Sequence, residues 1–181
     1  RLHQSLRKLK LDNQSNLLEL GCGAGWSVEY LPNMFREFVG IDYSNQLIRI
    51  AQQRHAESEN VLFQTGNIKN LDLEARFDVA FMIGVIHHVD DVQEALDATV
   101  RVLRPGGWLV VNEPQPGNPL VQLLRGIRKL IDSGYSEDQL TLSRGQLKGW
   151  FEHAGLTRVN VYPQGYLSTP FAEVPLPVQP V

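Results

Sequence analysis

Short apolar runs alternate with amphipathic segments along the chain, which is the pattern of a parallel sheet whose strands are joined by helices. The apolar runs predict five strands, at 17–20, 38–42, 61–64, 77–83 and 108–111. The run 77–83 is nearly unbroken, as expected of a strand that is buried on both faces. Alternating residues predict a sixth strand at 156–162, and the Arg-Pro-Gly-Gly sequence at 104–107 predicts a turn before the fifth strand.

Helical spacing is found between the predicted strands. The clearest helix follows Asp90 and Asp91, acids suited to a helix N-terminus, because apolar residues recur along one face from Val92 to Leu103. Ser44 is suited to cap a helix between the second and third strands. Further helices are predicted at 2–9, 26–31, 120–131 and 143–153. Pro32 ends the second of these helices and Gly155 the last.

This order of elements predicts an α/β fold with a doubly wound, mostly parallel sheet and helices on both of its faces. In such a sheet the ligand crevice lies outside the carboxyl ends of the strands, where the strand order reverses. We therefore expect a site built from the glycine-rich segment 21–25, Asp42, the segment after Gln64 and the ends of strands four and five.

Composition narrows the classes of function. The chain has 181 residues, of which 43% are hydrophobic and 20% charged, as in one soluble globular domain. Its formal charge of −3 lacks the basic surplus of a nucleic-acid binder, so no nucleic-acid partner is expected. A single cysteine, Cys22, excludes an internal disulfide and a multi-cysteine metal cluster, and is in keeping with a reducing compartment.

Targeting signals are not evident in the sequence. No apolar run approaches the roughly 20 residues that cross a bilayer, and no signal-peptide pattern opens the chain; a cytoplasmic location is therefore expected. The chain begins at Arg1 and ends at Val181 inside a Pro-rich stretch, so we interpret it as a part of a longer protein. The sequence leaves the oligomeric state open.

The glycine-rich turn after the first strand carries the most specific chemistry. It reads Glu-Leu-Gly-Cys-Gly-Ala-Gly-Trp from Glu19 to Trp26. A dinucleotide site requires G-x-G-x-x-G, whereas here the third glycine comes one position early and Trp26 takes its place. An acid stands two positions before the first glycine. Taken alone, Gly21, Gly23 and Gly25 are equally compatible with an ordinary turn.

This segment resembles the first motif, E/D-x-G-x-G-x-G, of the class I S-adenosylmethionine-dependent methyltransferases. The segment 40–44, with Asp42 at a strand end, is similar to the second motif of that family. Three later segments are similar to its small-molecule and lipid methylating branch, at 77–80, 85–89 and 101–111. The resemblance covers roughly 15–165 and implies a Rossmann-like cofactor-binding domain at 1–165, followed by an irregular Pro-rich segment at 166–181.

The resemblance implies S-adenosylmethionine as the cofactor. Asp42 is expected to accept hydrogen bonds from both ribose hydroxyls, and Tyr43 to lie against the adenine. Glu19 is expected to face the loop or the ammonium group of the ligand. Asn67 stands where the family commonly has an acid, and can accept the adenine amino group through its amide oxygen. The complete set of expected cofactor-binding residues is Glu19, Gly21, Cys22, Gly23, Asp42, Tyr43, Asn67, Ile68, Ile83 and Gly84.

His87, His88 and Glu113 are the candidate catalytic residues, because they follow the strands that border the reacting centre. A base is needed only if the acceptor must lose a proton, and the favoured alternative is that the histidines order the loop and close the cofactor pocket. A metal site with Asp90 and Asp91 is disfavoured, because adjacent residues on a turn rarely converge on one ion. We therefore predict no metal.

The function that follows is methyl transfer to a small-molecule or lipid-like acceptor by in-line displacement. The lipid-like acceptor is a hypothesis from the apolar residues among the C-terminal prolines, Phe171, Val174, Leu176 and Val178. A segment that shapes the acceptor pocket is expected at 113–135. The alternatives are a cofactor-binding module without turnover and an NAD(P)-dependent oxidoreductase. A nucleic-acid methyltransferase is the least favoured, because the Pro-Pro-aromatic run of amino-methylating members is missing after strand four.

Overall fold

The computed structural model describes Leu6, Leu9 and residues 11–113 and 143–161. Its centre is a parallel sheet with the strand order β3-β2-β1-β4-β5. The strands are β1 (Asn16–Leu20), β2 (Glu37–Asp42), β3 (Val61–Thr65), β4 (Phe77–Ile83) and β5 (Leu103–Asn112). The predicted Rossmann-like doubly wound architecture is therefore confirmed.

The strand order reverses between β1 and β4. From β1 the chain proceeds outward to β2 and β3, then returns to the other side of β1 for β4 and β5, and every pair is parallel. The carboxyl ends of all the strands consequently lie at one edge of the sheet. That edge, at the crevice between β1 and β4, is where this topology places a ligand.

Three α-helices and two short 3-10 helices accompany the strands in the described ranges. They are α1 (Asn45–Arg54), α2 (Val92–Val102), α3 (Arg144–His153) and the 3-10 helices Trp26–Tyr30 and Ile86–His88. The N-caps of the α-helices are Ser44, Asp91 and Ser143, each of which accepts the backbone N–H three residues later. The predicted starts of all three helices are thus confirmed by their cap contacts.

One face of the sheet packs against α2, α3 and the connection that follows β3. Leu18 and Leu20 of β1 lie beside Val39 and Met82 on this face, all of them nearly or fully buried. Helix α2 contributes Leu96 and its neighbours, and Ile68, Leu71 and Leu73 cover the rest from the loop.

The opposite face packs against α1 and the 3-10 helix Trp26–Tyr30. Phe38, Phe63 and Phe81 form its aromatic centre, with ring centroids about 6 Å apart. Leu6 is fully buried in the same cluster. The rest of the helix predicted at 2–9, apart from Leu9, lies outside the described residues, as do the helix predicted at 120–131 and the C-terminal segment 166–181.

Two strand predictions are wrong in detail. The fifth strand begins at Leu103 rather than at Trp108, because Leu103 already pairs with Phe77, and the predicted turn is an irregularity inside the strand before Trp108 pairs with Val79. The sixth strand is absent from its described part, 156–161, which is irregular. The apolar residues there are only partly buried, so the alternating pattern is not matched by pairing in the sheet.

Among the described residues, no helix is both long enough and apolar enough to cross a membrane.

Gly40 supplies a test of how closely the sheet and loops are packed. A Cβ atom at this position would lie 2.6 Å from Cδ1 of Phe63 and 2.9 Å from Sγ of Cys22. We expect Gly40→Ala to lower the free energy of unfolding by about 1–3 kcal/mol through overpacking. Urea denaturation of the variant and the wild-type chain measures this difference.

The matched control is Gly149→Ala in α3, where a Cβ would meet no atom within 4 Å. This substitution is expected to raise the free energy of unfolding by about 0.5–1 kcal/mol, because glycine is unfavourable inside a helix. Equal effects of the two substitutions would contradict the close packing described for Gly40.

Candidate functional site

The predicted site residues converge at the carboxyl edge of the sheet. The glycine loop follows β1, Asp42 ends β2, the segment 84–88 follows β4 and Glu113 follows β5. Backbone hydrogen bonds join these segments, since Ile41 O accepts from the N–H groups of Gly21 and Cys22 at 2.7 and 3.1 Å. The topology therefore brings together residues that are far apart in the sequence.

The glycine loop adopts a backbone that few other residues tolerate. The φ angles of Gly21, Gly23 and Gly25 are 74°, 53° and 76°, all in the left-handed region. A Cβ at Gly23 would meet no atom within 4 Å, so the loop is open on that side. A ligand can therefore approach the backbone closely at Gly23.

Asp42 holds the open side of the loop in place. One carboxylate oxygen accepts the N–H of Gly23 at 2.8 Å and the other accepts the N–H of Ser44 at 2.8 Å. The side chain is only partly buried. Because each carboxylate oxygen has more than one acceptor position, Asp42 can receive further hydrogen bonds from a ligand diol.

The other two glycines face packed protein rather than open space. A Cβ at Gly21 would lie 2.4 Å from Cγ2 of Val85, and one at Gly25 would lie 2.8 Å from Cζ of Phe63. The His55 ring nitrogen Nε2 also lies 2.9 Å from the carbonyl oxygen of Gly25, to which it donates. The loop is consequently fixed from behind and open in front.

Glu19 is buried behind the loop, with 4% of its surface exposed. Its carboxyl group accepts a hydrogen bond from the hydroxyl of Ser27 in the 3-10 helix Trp26–Tyr30. Burial, reinforced by the charge of Asp42 and opposed by the Ser27 hydrogen bond, raises the pKa of Glu19 to about 8. The hydrogen bond thus joins the end of β1 to the 3-10 helix that follows the glycine loop.

Cys22 is also buried behind the loop. Burial, together with the charges of Glu19 and Asp42, raises the pKa of its thiol above the ordinary value. The thiol therefore stays protonated and is a poor nucleophile. Its Sγ atom packs close to Gly40, where a Cβ would lie only 2.9 Å away. The space between the two residues therefore has no room for a larger side chain.

The remaining residues expected to face the adenosyl group lie in two segments, one after β2 and one after β3. Tyr43 is 85% exposed directly after Asp42, so its ring is free to cover a ligand. Asn67 lies in the connection after β3, where its amide oxygen accepts the N–H of Lys69 at 3.0 Å. Ile68 turns away into the core on the α2 side of the sheet. The connection after β3 is held next to Asp42, because the carbonyl oxygen of Asp42 accepts the N–H of Gly66.

Ile83 and Gly84 end β4 beside the glycine loop. Ile83 is 40% exposed, and Gly84 has a φ of 64° with its N–H donating to Asn112 O at 2.8 Å. The left-handed residue turns the chain back over the sheet edge. Val85, the next residue, then lies against Gly21.

Glu113 binds the whole loop after β4. One carboxylate oxygen accepts the N–H groups of Val85 and Ile86, both at 2.8 Å, and the other lies 2.6 Å from Nδ1 of His87. The side chains of His87 and Glu113 are 8% and 2% exposed. The exposed His88 ring lies beside that of His87, with 4.0 Å between centroids.

The His87–Glu113 contact sets the chemistry of the imidazole. An ionised carboxylate can only accept, so Nδ1 of His87 carries the hydrogen. In the neutral ring Nε2 then has a lone pair and can accept a proton. A histidine oriented in this way by a carboxylate is a suitable general base. Within the described residues, no three metal-ligating side chains form a group that could hold an ion.

Four residues of this edge were not predicted from the sequence as parts of the site. They are Ser27, the partner of Glu19; Ser44, whose N–H binds Asp42; His55, which binds Gly25; and Val85, which covers Gly21. Ser44 was predicted only as a helix cap, which is a usable signal. The other three make contacts with residues that no local pattern identifies.

Comparison with known proteins assigns the family. The family described as "Methyltransferase domain" matches residues 18–111, slightly more than half of the chain, from β1 to the end of β5. The chain belongs to this methyltransferase family. The matched range contains the glycine loop, Asp42 and the segment 84–88 after β4, whereas Glu113 lies just beyond it.

Individual methyltransferases are similar over shorter stretches. The chain is 35% identical over 98 residues to a ubiquinone biosynthesis O-methyltransferase of Bradyrhizobium sp., covering 53% of this chain and 38% of that protein. It is 29% identical over 123 residues to phthiotriol/phenolphthiotriol dimycocerosates methyltransferase 1 of Mycobacterium ulcerans, covering 66% of this chain and 45% of that protein. The chain thus spans less than half the length of these two relatives.

A solved structure agrees with the fold of this methyltransferase chain. The YcgJ protein from Bacillus subtilis superimposes with a TM-score of 0.68 over 84% of this chain and 66% of that one, at 23% identity. At this identity the likeness shows the fold alone. The family membership implies S-adenosylmethionine as the cofactor, and it does not name the methyl acceptor.

The buried Glu19 predicts a pH dependence of stability. Its folded-state pKa of about 8 lies above the ordinary value of 4.5, so the folded chain binds more protons than the unfolded chain between these values. The stabilisation is therefore complete below pH 4.5 and is lost as the pH rises through 8, by about 1.4 kcal/mol for each unit between the two pKa values. Glu19→Gln should remove this dependence.

The measurement is urea denaturation from pH 5 to pH 9 on the wild-type chain and Glu19→Gln. The free energy of unfolding of the variant relative to the wild type should rise with pH. Glu59→Gln, at an exposed position, is the control and should follow the wild type. A constant difference between wild type and Glu19→Gln across the range would show that Glu19 is ionised in the folded chain.

Proposed function

We propose that this chain binds S-adenosylmethionine at the glycine loop and transfers its methyl group by in-line displacement to a small-molecule or lipid-like acceptor. The single observation that supports this most strongly is the backbone of Gly23, which has a left-handed φ, faces open space and is held by Asp42. When bound, this cofactor supplies an electrophilic methyl group on a positively charged sulfur.

The residues at the sheet edge fit such a ligand. The loop offers close backbone approach at Gly23 without the anion-binding arrangement that a dinucleotide would need. Asp42 is available to the vicinal hydroxyls of a ribose, and Tyr43 is exposed beside it to cover the base. Ile83 and Gly84 line the side of the crevice that continues toward β5.

Supporting roles at the cofactor site are proposed for Glu19, Cys22, Asn67 and Ile68 from their contacts. Cys22 is a buried member of the loop, and the buried Glu19 binds Ser27 in the helix that follows it, so we propose that both support the shape of the loop. Asn67 uses its amide oxygen in its own turn, and that oxygen has a further lone pair for an adenine amino group. Ile68 packs in the core and positions this turn.

His87 is proposed as the general base when the acceptor is a hydroxyl or another group that must lose a proton. Glu113 fixes its tautomer and leaves Nε2 free to accept that proton. His88 lies beside His87 and is exposed, so we propose that it contributes to closing the crevice. The chain's own contribution to the rate is then alignment of the acceptor, exclusion of water and removal of one proton.

The acceptor class is supported by the relatives and by charge. Two of them are named for ubiquinone biosynthesis and for phthiotriol dimycocerosates, both of which indicate apolar organic acceptors for those proteins. The formal charge of −3 is unfavourable for a polyanionic acceptor. The exposed Ile83 provides an apolar contact at the mouth of the crevice.

Cofactor binding is tested by calorimetric titration with S-adenosylhomocysteine, the demethylated product. Asp42→Ala should weaken its affinity by at least about tenfold, since a charged hydrogen bond to a ligand contributes about 1.5–3 kcal/mol. The control is Asp12→Ala, because Asp12 also accepts a backbone N–H in a turn but lies away from the sheet edge. Equal affinities of wild type and Asp42→Ala would contradict the proposed ribose contact.

Methyl transfer is tested with radiolabelled S-adenosylmethionine and a panel of phenolic, prenylated and lipid acceptors. For an acceptor found in this way, His87→Ala should lower kcat about 10²–10⁴-fold, because the group that removes the acceptor's proton is lost. His153→Ala, at the end of α3, is the control for loss of a histidine elsewhere. Binding of the product with no transfer to any acceptor would instead favour a cofactor-binding module without turnover.

A further inference from the structure

We infer that Glu113 is a positioning residue for the glycine loop. It binds the backbone N–H groups of Val85 and Ile86, and the side chain of Val85 supports the glycine loop at Gly21. This inference rests on the proposed cofactor site. It assigns to Glu113 a role that is separate from its contact with His87. It also connects the end of β5, on the acceptor side of the crevice, with the loop that follows β1.

The first step is the position of the Glu113 carboxylate. It is 2% exposed and takes part in three contacts, two of them with backbone N–H groups. A buried carboxylate is stable only when its oxygens are satisfied, so these contacts constrain it strongly. The N–H groups of Val85 and Ile86 lie at the start of the 3-10 helix Ile86–His88, and the same oxygen fixes both.

The second step is the contact between Val85 and Gly21. A Cβ at Gly21 would lie 2.4, 3.2 and 3.4 Å from three atoms of the Val85 side chain. The valine therefore occupies the space directly behind the first glycine. Because the N–H of Val85 is bound to Glu113, displacement of the carboxylate would release the backbone that carries this side chain.

The third step is the way in which Gly21 controls the rest of the loop. The N–H groups of Gly21 and Cys22 share one acceptor, Ile41 O, and the N–H of Gly23 binds Asp42. Because Gly21 and Gly23 are two residues apart in one short loop, we expect a shift of Gly21 to move the open backbone at Gly23. The path from Glu113 to Gly21 consists of the hydrogen bond from the N–H of Val85 and the packing of the Val85 side chain, and the chain itself continues from Gly21 to Gly23.

Substitutions at Glu113 separate this role from the orientation of His87. In Glu113→Gln the amide oxygen can still accept from Val85 and Ile86, while the amide nitrogen donates to Nδ1 of His87 and reverses its tautomer. In Glu113→Ala both kinds of contact are lost. Positioning of the loop should therefore survive in the glutamine variant and fail in the alanine variant.

The matched control is Asp78→Ala. Asp78 of β4 is also a buried carboxylate, and it accepts the N–H of Asn16 of β1 at 2.7 Å. This contact lies at the amino ends of β1 and β4, away from the glycine loop. Its removal should lower stability as Glu113→Ala does without affecting the glycine loop. Thermal unfolding of each variant measures this loss of stability separately from ligand affinity.

The experiment is calorimetric titration of the wild-type chain and its variants with S-adenosylhomocysteine, combined with amide hydrogen exchange of residues 21–25. We expect Glu113→Ala to weaken the affinity by about tenfold and to speed exchange in the loop. Glu113→Gln should stay within about threefold of the wild-type affinity. Asp78→Ala should have the wild-type affinity with a lower Tm.

Val85→Ala tests the same path without relying on the folding of Glu113→Ala, and the two substitutions together form a double-mutant cycle. Alone it should weaken the affinity, because it removes the side chain that supports Gly21. Combined with Glu113→Ala it should add little further loss, since both act on one path. Additive effects of the two substitutions, or an unchanged affinity of Val85→Ala, would overturn the inference.

The outcomes distinguish this inference from the proposed function. If the wild-type chain does not bind S-adenosylhomocysteine, the proposed function fails before any variant is compared. If the wild type binds and Glu113→Ala binds equally well, only the positioning role fails. If Glu113→Gln and Asp78→Ala lose as much affinity as Glu113→Ala, the loss is a general effect of destabilisation, and the inference is again overturned.

Discussion

The hydrogen bond from the N–H of Gly23 to the carboxylate of Asp42 joins the two segments from which the site is built. It spans 2.8 Å between the loop after β1 and the end of β2. The contact needs a residue without a Cβ at a positive φ and an acid at the end of the adjacent strand. Because β1 and β2 pair in parallel, the glycine loop and Asp42 lie at the same edge of the sheet.

The two acidic residues near this hydrogen bond, Asp42 and Glu19, differ in burial. Asp42 is partly exposed in front of the loop, whereas Glu19 is buried behind it, beside Ser27. A buried carboxyl group next to a second acid is costly when it is ionised, and the raised pKa of Glu19, about 8, reflects that cost. The difference in burial thus separates the two acids, with Asp42 available to a ligand and Glu19 engaged in packing and a hydroxyl contact.

Much of this arrangement could be predicted from the sequence, because it depends on local patterns. The apolar run of β4 and the glycine spacing after β1 are contiguous signals, and Ser44 and Asp91 are caps of helices with clear periodicity. The contact of Val85 with Gly21 has no such signal, since it joins residues 64 positions apart through the topology of the sheet. The prediction of a sixth strand was wrong in its described part, because the alternating pattern at 156–161 is not accompanied by pairing in the sheet.

The most direct test of the account is a nuclear magnetic resonance titration of the isotope-labelled chain with S-adenosylhomocysteine. The account predicts that the largest changes in backbone amide shifts occur at Gly23 and its loop neighbours and at Tyr43 and Ser44 beside Asp42. Amides at the opposite edge of the sheet, such as Asn16, should be unaffected. Saturating ligand that leaves the amide of Gly23 unchanged would contradict the assignment of the glycine loop as the cofactor site.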